Sequence, residues 1–205
     1  MAPGGGGEAR RRRPLAVNQL ALFGTSADPP TRGHRALLEG LLGLFPRVVT
    51  WASDNPLKTH GAPLEVRTAL LAALVAAIDD PRLSLEQDLS SPWAVETLER
   101  ARARWPQQEV VFVVGSDLAG QIHRWKRADA LLRGCRLGIT CRQGWPLLEA
   151  DLERLRGLGA RVDVLPLAIP ATASSRIRQQ PDPAQVPPEL WPVLLEHNLY
   201  GLSAP

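Results

Sequence analysis

Short apolar runs alternate along the chain with longer stretches in which leucines recur at intervals of three and four residues. Leu20 to Phe23 predicts a strand, and Leu37, Leu38, Leu41, Leu42 and Leu44 then fall at helical spacings within Arg35 to Leu44. Arg47 to Ala52 predicts the next strand. Leu64 to Ile78 repeats a leucine-rich helical face and stops at Asp79-Asp80-Pro81, where proline cannot continue a helix and aspartates favour a turn. Arg82 to Glu86 alternates apolar and polar residues as a short strand does. Pro92 to Arg104 predicts a helix with Ser91 as its cap and proline at its first turn. Glu109 to Val114 has the continuous apolar character of a strand buried on both faces. Gly115-Ser116-Asp117 breaks it. A helical segment through Leu132, a strand at Leu137 to Thr140, a helix from Pro146 to Leu155 and a strand at Val162 to Leu165 follow. Short helices at Ala173 to Gln179 and Leu190 to His197 close the chain, with a proline-rich turn at Pro181 to Pro188 between them.

Alternating strands and helices imply an α/β fold: a Rossmann-like, doubly wound parallel sheet in a single domain, with a short C-terminal helical part. Ligands of such sheets gather outside the carboxyl ends of the strands. The loops Gly24 to His34, Ser53 to Gly61, Gln87 to Pro92, Gly115 to Asp117 and Ala168 to Ser175 are therefore expected to face one crevice.

A chain of 205 residues suits one such domain, expected over residues 17–203 behind a disordered Gly/Arg-rich tail at residues 1–16. The formal charge is +3, but Arg10 to Arg13 give +4 and Glu8 gives −1, so the tail accounts for all of it. The body is not basic, which argues against nucleic acid as a partner. Cys135 and Cys141 are too few for a disulfide framework, lack zinc-site spacing, and read as core thiols. No apolar segment follows the tail, so neither a membrane anchor nor a secretory signal is expected, and a cytoplasmic location fits.

The candidate chemistry sits at the expected strand ends. Leu22-Phe23-Gly24-Thr25-Ser26-Ala27-Asp28-Pro29-Pro30-Thr31-Arg32-Gly33-His34 passes from a strand through a turn into a helix, and the first turn of a helix presents free N–H groups and partial positive charge to an anion. Thr31 and His34, three apart, add side-chain donors on one face. Ser174-Ser175-Arg176-Ile177-Arg178 offers a second such turn, with a guanidinium fork at Arg178. Trp125 presents a broad aromatic face, and Arg124, Lys126 and Arg127 keep its surroundings positive. His60, His123 and His197 lack companions at metal-ligand spacing and read as surface or packing residues, so no protein metal site is expected.

The first stretch resembles the signature G-G-T-F-D-P-x-[HT]-x-G-H of the nucleotidylyltransferase superfamily, with Gly24, Asp28, Pro29, Thr31, Gly33 and His34 on its fixed places; Thr25, Ser26 and Ala27 depart from it. Ser174 to Arg178 resembles that superfamily's I-S-S-T-x-I-R segment. Ser91 to Leu98 resembles the S-x-Y-T-x-x-T-L segment of the nicotinate-nucleotide adenylyltransferases, with Ala94 in a threonine place, and Val114 to Asp117 followed by Trp125 resembles their G-A-D segment. Asn55-Pro56-Leu57-Lys58 is similar to P-P-H-K with leucine for histidine, Arg142 in Thr140-Cys141-Arg142-Gln143-Gly144 resembles the arginine of the family's R-P-G turn, and His197 to Gly201 is similar to the closing H-x-L-Y.

The resemblance implies adenylyl transfer from ATP to nicotinate mononucleotide, with Mg²⁺ arriving on ATP. It implies His34, Thr31 and Arg178 as catalytic residues, and Gly24, Thr25, Ser26, Gly33, His34, Gly115, Asp117, Ser174, Ser175 and Arg178 as the ATP site. Lys58, Thr97, Trp125 and Arg142 would hold the mononucleotide. Two rivals stand beside it: a pantetheine-phosphate adenylyltransferase, which shares threonine at the place of Thr31 but lacks the tryptophan segment, and a non-catalytic nucleotide-binding regulator, motivated by Thr25, Ala94 and Leu57. The choice between acid and amide mononucleotide rests on this reading with backbone groups and stays open, as does a homo-oligomeric state.

Overall fold

The structure is a computed structural model and describes residues 18–55, 58–170 and 172–202. The expected tail at residues 1–16, the domain limits at 17 and 203, and Leu57 lie outside these residues. Six parallel strands form one sheet: β1 (Gln19–Thr25), β2 (Arg47–Ala52), β3 (Leu83–Leu85), β4 (Glu109–Gly115), β5 (Arg136–Arg142) and β6 (Arg161–Ile169), in the order β3-β2-β1-β4-β5-β6. The order reverses between β1 and β4. Parallel neighbours need crossovers, and the helices that supply them cover both faces.

Alternation along each strand divides the core in two. Ala21 and Phe23 of β1 and Val111 and Val113 of β4 pack with α1 (Arg32–Leu42), α2 (Leu64–Ile78) and the closing helix α8 (Trp191–Glu196). Leu20, Leu22, Val110, Phe112 and Val114 face the other way, onto α3 (Ala94–Arg104), α5 (Ala128–Gly134) and α6 (Glu149–Gly157). Buried leucines such as Leu38, Leu70, Leu71 and Leu131 each contribute roughly 1.5–3 kcal/mol of transfer free energy to these layers.

Element ends differ from expectation for local reasons. Helix α1 starts at Arg32, not Arg35, because Thr31 is its N-cap, so Arg32, Gly33 and His34 form its first turn. Helix α3 starts at Ala94 with Trp93 at the N-cap position. Ser91 instead donates to Glu96 Oε2 at 2.6 Å and accepts from the Trp93 N–H at 3.2 Å. The expected helix through Leu132 is three pieces, the short α4 (Ser116–Ala119), a 3₁₀ turn at Ile122–Arg124, and α5, with Arg127 left-handed at φ 53° between the last two. Helix α6 begins at Glu149 rather than Pro146. Cys135 is a core thiol, whereas Cys141 is exposed near the end of β5. Among the described residues no helix is long and apolar enough to cross a membrane.

Candidate active site

Outside the carboxyl ends of β1 and β4, where the strand order reverses, lies a cleft of about 860 Å³. Its lining includes Gly24, Thr25, Ser26, Gly33, His34, Lys58, Thr97, Gly115, Asp117, Trp125, Arg142, Ser174, Ser175 and Arg178. The structure therefore gathers residues from both ends of the sequence in one place. Thr31 is the exception: it is fully buried and does not line the cleft.

That burial changes what Thr31 does. Its backbone N–H donates to His34 Nδ1 at 3.0 Å, and its hydroxyl oxygen lies 2.8 Å from the same nitrogen and 3.4 Å from the Thr172 carbonyl. A backbone N–H can only donate, so Nδ1 must accept and the neutral ring carries its proton on Nε2. Burial first, then the positive charges of Arg142 and Lys58, lower the His34 pKa from 6.5 to about 4. Near neutral pH His34 is an uncharged donor, oriented by the cap of its own helix. The hydroxyl expected to reach a phosphate is turned inward to hold that ring.

Packing across the sheet requires the first glycine of this loop. Gly24 has no left-handed backbone; a Cβ on it would come within 2.5 Å of the Trp51 ring, which packs against this end of β1. At Gly33 a Cβ would make only ordinary contact, 3.4 Å from the Pro170 carbonyl. Thr25 Oγ1 accepts the Ala27 N–H at 3.2 Å and so shapes the turn while lining the cleft.

Across the cleft, α7 (Ser174–Gln179) packs against the first loop. Ser174 donates to the Pro29 carbonyl at 2.8 Å, and Arg178 donates to the Asp28 carbonyl at 2.6 Å while lying 3.3 Å from Asp28 Oδ2. Ser175 is exposed at the mouth. Arg142, at the end of β5, pairs with Asp117 Oδ2 at 3.1 Å and donates to the Thr172 carbonyl at 3.3 Å, bridging α4 to the segment before α7. Thr97 is almost wholly buried, and its hydroxyl donates to the Leu89 carbonyl at 2.9 Å, so its donor is already used. Trp125 and Trp93 are half-buried on the same wall.

Residues without a role in the sequence reading complete the frame. Arg67 of α2 is 1 % exposed and donates to the carbonyls of Ala62 (3.1 Å), Ser26 (2.8 Å) and Ser53 (2.8 Å), tying the loops after β1 and β2 together. Its place within the buried Leu70, Leu71 and Leu74 stripe is the signal that marked it: a cation on an apolar face needs buried partners. His60, expected at the surface or in packing, lines the cleft with Nδ1 3.5 Å from Asp28 Oδ2.

A doubly wound sheet whose switch-point crevice joins a helix start, a neutral histidine donor and several cations defines a nucleotide-binding α/β protein. The cytidylyltransferase-like family model matches residues 22–180. A relative named as a probable nicotinate-nucleotide adenylyltransferase from Synechocystis sp. is 36% identical over 197 residues, covering 89% of this chain and 98% of its own. One of the same name from Thermus thermophilus is 32% identical over 171 residues, covering 79% of this chain and 86% of its own. The chain belongs to the cytidylyltransferase-like family, among its nicotinate-nucleotide adenylyltransferases. The nicotinic acid mononucleotide adenylyltransferase of Plasmodium falciparum shares the fold: in complex with NaAD it aligns at TM-score 0.73 and 16% identity over 91% of this chain and 98% of its own. Its complex with APC aligns at TM-score 0.70 and 17% identity, with the same coverage.

Proposed function

We propose that the protein transfers the adenylyl group of ATP to nicotinate mononucleotide, yielding nicotinate adenine dinucleotide and pyrophosphate in NAD biosynthesis, and that residues 17–203 act as one cytoplasmic catalytic domain. The observation that carries the assignment of roles is the fixed His34 tautomer, with Nδ1 accepting from Thr31 and Nε2–H left to donate. A mononucleotide phosphate oxygen attacks the α-phosphorus of ATP, the bond to the bridging oxygen breaks, and pyrophosphate leaves with that oxygen. The reaction needs positioning and charge stabilisation rather than a protein nucleophile. His34 donates to a phosphate oxygen as negative charge builds, Arg178 with Ser174 and Ser175 faces the departing pyrophosphate, and Lys58 and Arg142 add positive charge close to His34. Asp117 and Gly115 face the adenosine, and Trp125 offers its ring to the pyridine.

Mg²⁺ enters this reading as an ion carried by ATP. Among the described residues no group of three His, Cys, Asp or Glu side chains is arranged to hold a metal, and the carboxylates of Asp28 and Asp117 are bound to Arg178 and Arg142. Both carboxylates are thus taken up by guanidinium groups, and no step above runs through the ion. Pyrophosphate release with ATP and Mg²⁺ tests the reading, with nicotinate mononucleotide, nicotinamide mononucleotide and phosphopantetheine supplied in parallel. Release with the first mononucleotide is expected. Release with phosphopantetheine alone overturns the substrate, and silence with all three beside measurable ATP binding favours a regulator.

A further inference from the structure

Among the described residues, five cationic side chains line the cleft against one carboxylate, Asp117, and they fall into two groups. Lys58 and Arg142 act on His34, and Arg178 lies on Asp28, so these three serve the phosphate end. Lys126 stands apart from them, with Nζ 4.5 Å from the centroid of the Trp93 ring. Its nearest carboxylate, Glu96, is 3.7 Å away, does not line the cleft, and already accepts the Ser91 hydroxyl at 2.6 Å. Arg124, two residues earlier, forms no ion pair among the described residues. A weakly compensated pair of cations thus lines the cleft beside Trp93 and Trp125, apart from the group around His34.

We infer that Lys126 selects the acid form of the mononucleotide by facing the ring carboxylate that the amide form lacks; the inference rests on the adenylyl-transfer reading above. A pyridine ring joined to ribose through its nitrogen is a pyridinium and carries one positive charge. In the acid form the ring carboxylate balances that charge and gives Lys126 a partner. In the amide form the ring brings an unbalanced cation to a wall that already holds Lys126 and Arg124. Selectivity is a difference between two affinities, and here the same side chain attracts one form and repels the other. Backbone groups are then not the sole basis of the choice. Lys126 is about half exposed (47 %), so solvent moderates its effect.

The test is steady-state kinetics of the full chain with both mononucleotides, for wild type, Lys126→Gln and Lys126→Arg. Wild type is expected to prefer the acid. Lys126→Gln is expected to lower the acid-to-amide ratio of kcat/KM about tenfold, chiefly through KM for the acid, and Lys126→Arg to restore most of it. An unchanged ratio in an active Lys126→Gln variant, or equal losses with both substrates, overturns the role of Lys126 and leaves the reaction intact. A wild type that prefers the amide overturns the selectivity. One that turns over neither mononucleotide overturns the reaction reading and this inference with it.

Discussion

Tyr200 donates its hydroxyl to Asp28 Oδ1 at 2.7 Å, so the end of the fold closes on the loop between β1 and α1. Asp28 is fully buried and does not line the cleft, yet its other oxygen accepts the Gly61 N–H at 2.7 Å and lies 3.3 Å from Arg178. A buried carboxylate is stable only when its lone pairs are occupied, so Asp28 fixes three separate segments around itself. Arg178, which faces the cleft, is held from behind by this arrangement. Burial and the bond to Asp28 push the Tyr200 pKa well above its ordinary value, so the hydroxyl remains a donor across the working range of pH.

Tyr200→Phe removes that donor and nothing else. Asp28 Oδ1 is left unpaired in the interior, and stability is expected to fall by about 1–3 kcal/mol in urea denaturation. Arg178 becomes the remaining strong partner of the carboxylate and is drawn back from the cleft. KM for ATP should rise a few-fold, with KM for the mononucleotide little changed. A loss of stability with an unaltered KM for ATP would restrict Tyr200 to packing.

The low pKa of His34 sets a pH signature. The folded-state value, about 4, lies below the ordinary 6.5, so between those values the unfolded chain binds the extra proton. The contribution of His34 to stability is full above pH 6.5 and is lost as pH falls toward 4. The ring signals of His34, followed by NMR across overlapping buffers, should show the same window: level down to about pH 5 and shifting near 4, with no inflection at 6.5. His34→Ala should lower kcat about a hundredfold or more while changing ATP affinity little. An inflection at 6.5 would mean that the ring is free to protonate in the folded protein.

Thr31→Val separates a cap from a phosphate ligand. The substitution deletes the hydroxyl and keeps the backbone N–H that holds His34 Nδ1. With Thr31 turned inward, the expected loss in kcat is below about tenfold, because only one of the two contacts to the ring disappears. A loss approaching that of His34→Ala would return the hydroxyl to the phosphates. Single-turnover rates at saturating ATP make the comparison.

The helical and alternating periodicities of the chain disclosed all six strands and most of the helices, because each reports which residues face a core. The crevice was legible too, since parallel α/β topology carries loops such as Gly24 to His34 and Ala168 to Ser175 to one edge of the sheet. What stayed hidden depends on which elements meet across space. Gly24 was legible as part of a motif, but its lack of a side chain serves Trp51 on the neighbouring strand. Thr31 looked like a second phosphate donor, and only its burial and the direction of its N–H show that it orients His34. Tyr200 closes a contact with a residue 172 positions away, which no local pattern encodes. Helix starts were misjudged where residues from the motifs themselves form the first turn, as at Arg32 to His34.

Arg67 carries the last prediction, because its guanidinium joins loops that the sheet alone would leave apart. Its fork spans the carbonyls of Ser26 and Ser53, at the ends of adjacent strands, and also that of Ala62 just before α2. The pair with Asp54 at 3.2 Å adds little, since that carboxylate is 57 % exposed. Arg67→Met would keep the apolar stem and strand three carbonyl oxygens without donors, an expected loss of about 3–5 kcal/mol. Arg67→Lys should recover little of it, because a single ammonium cannot reach three acceptors that a planar fork spans. Chemical denaturation of both variants measures the loss, and KM values for both substrates should rise together in whatever folded fraction remains, since Ser26 and Ser53 both line the cleft. A lysine variant as stable as wild type would show that charge suffices at this position and that fork geometry does not matter.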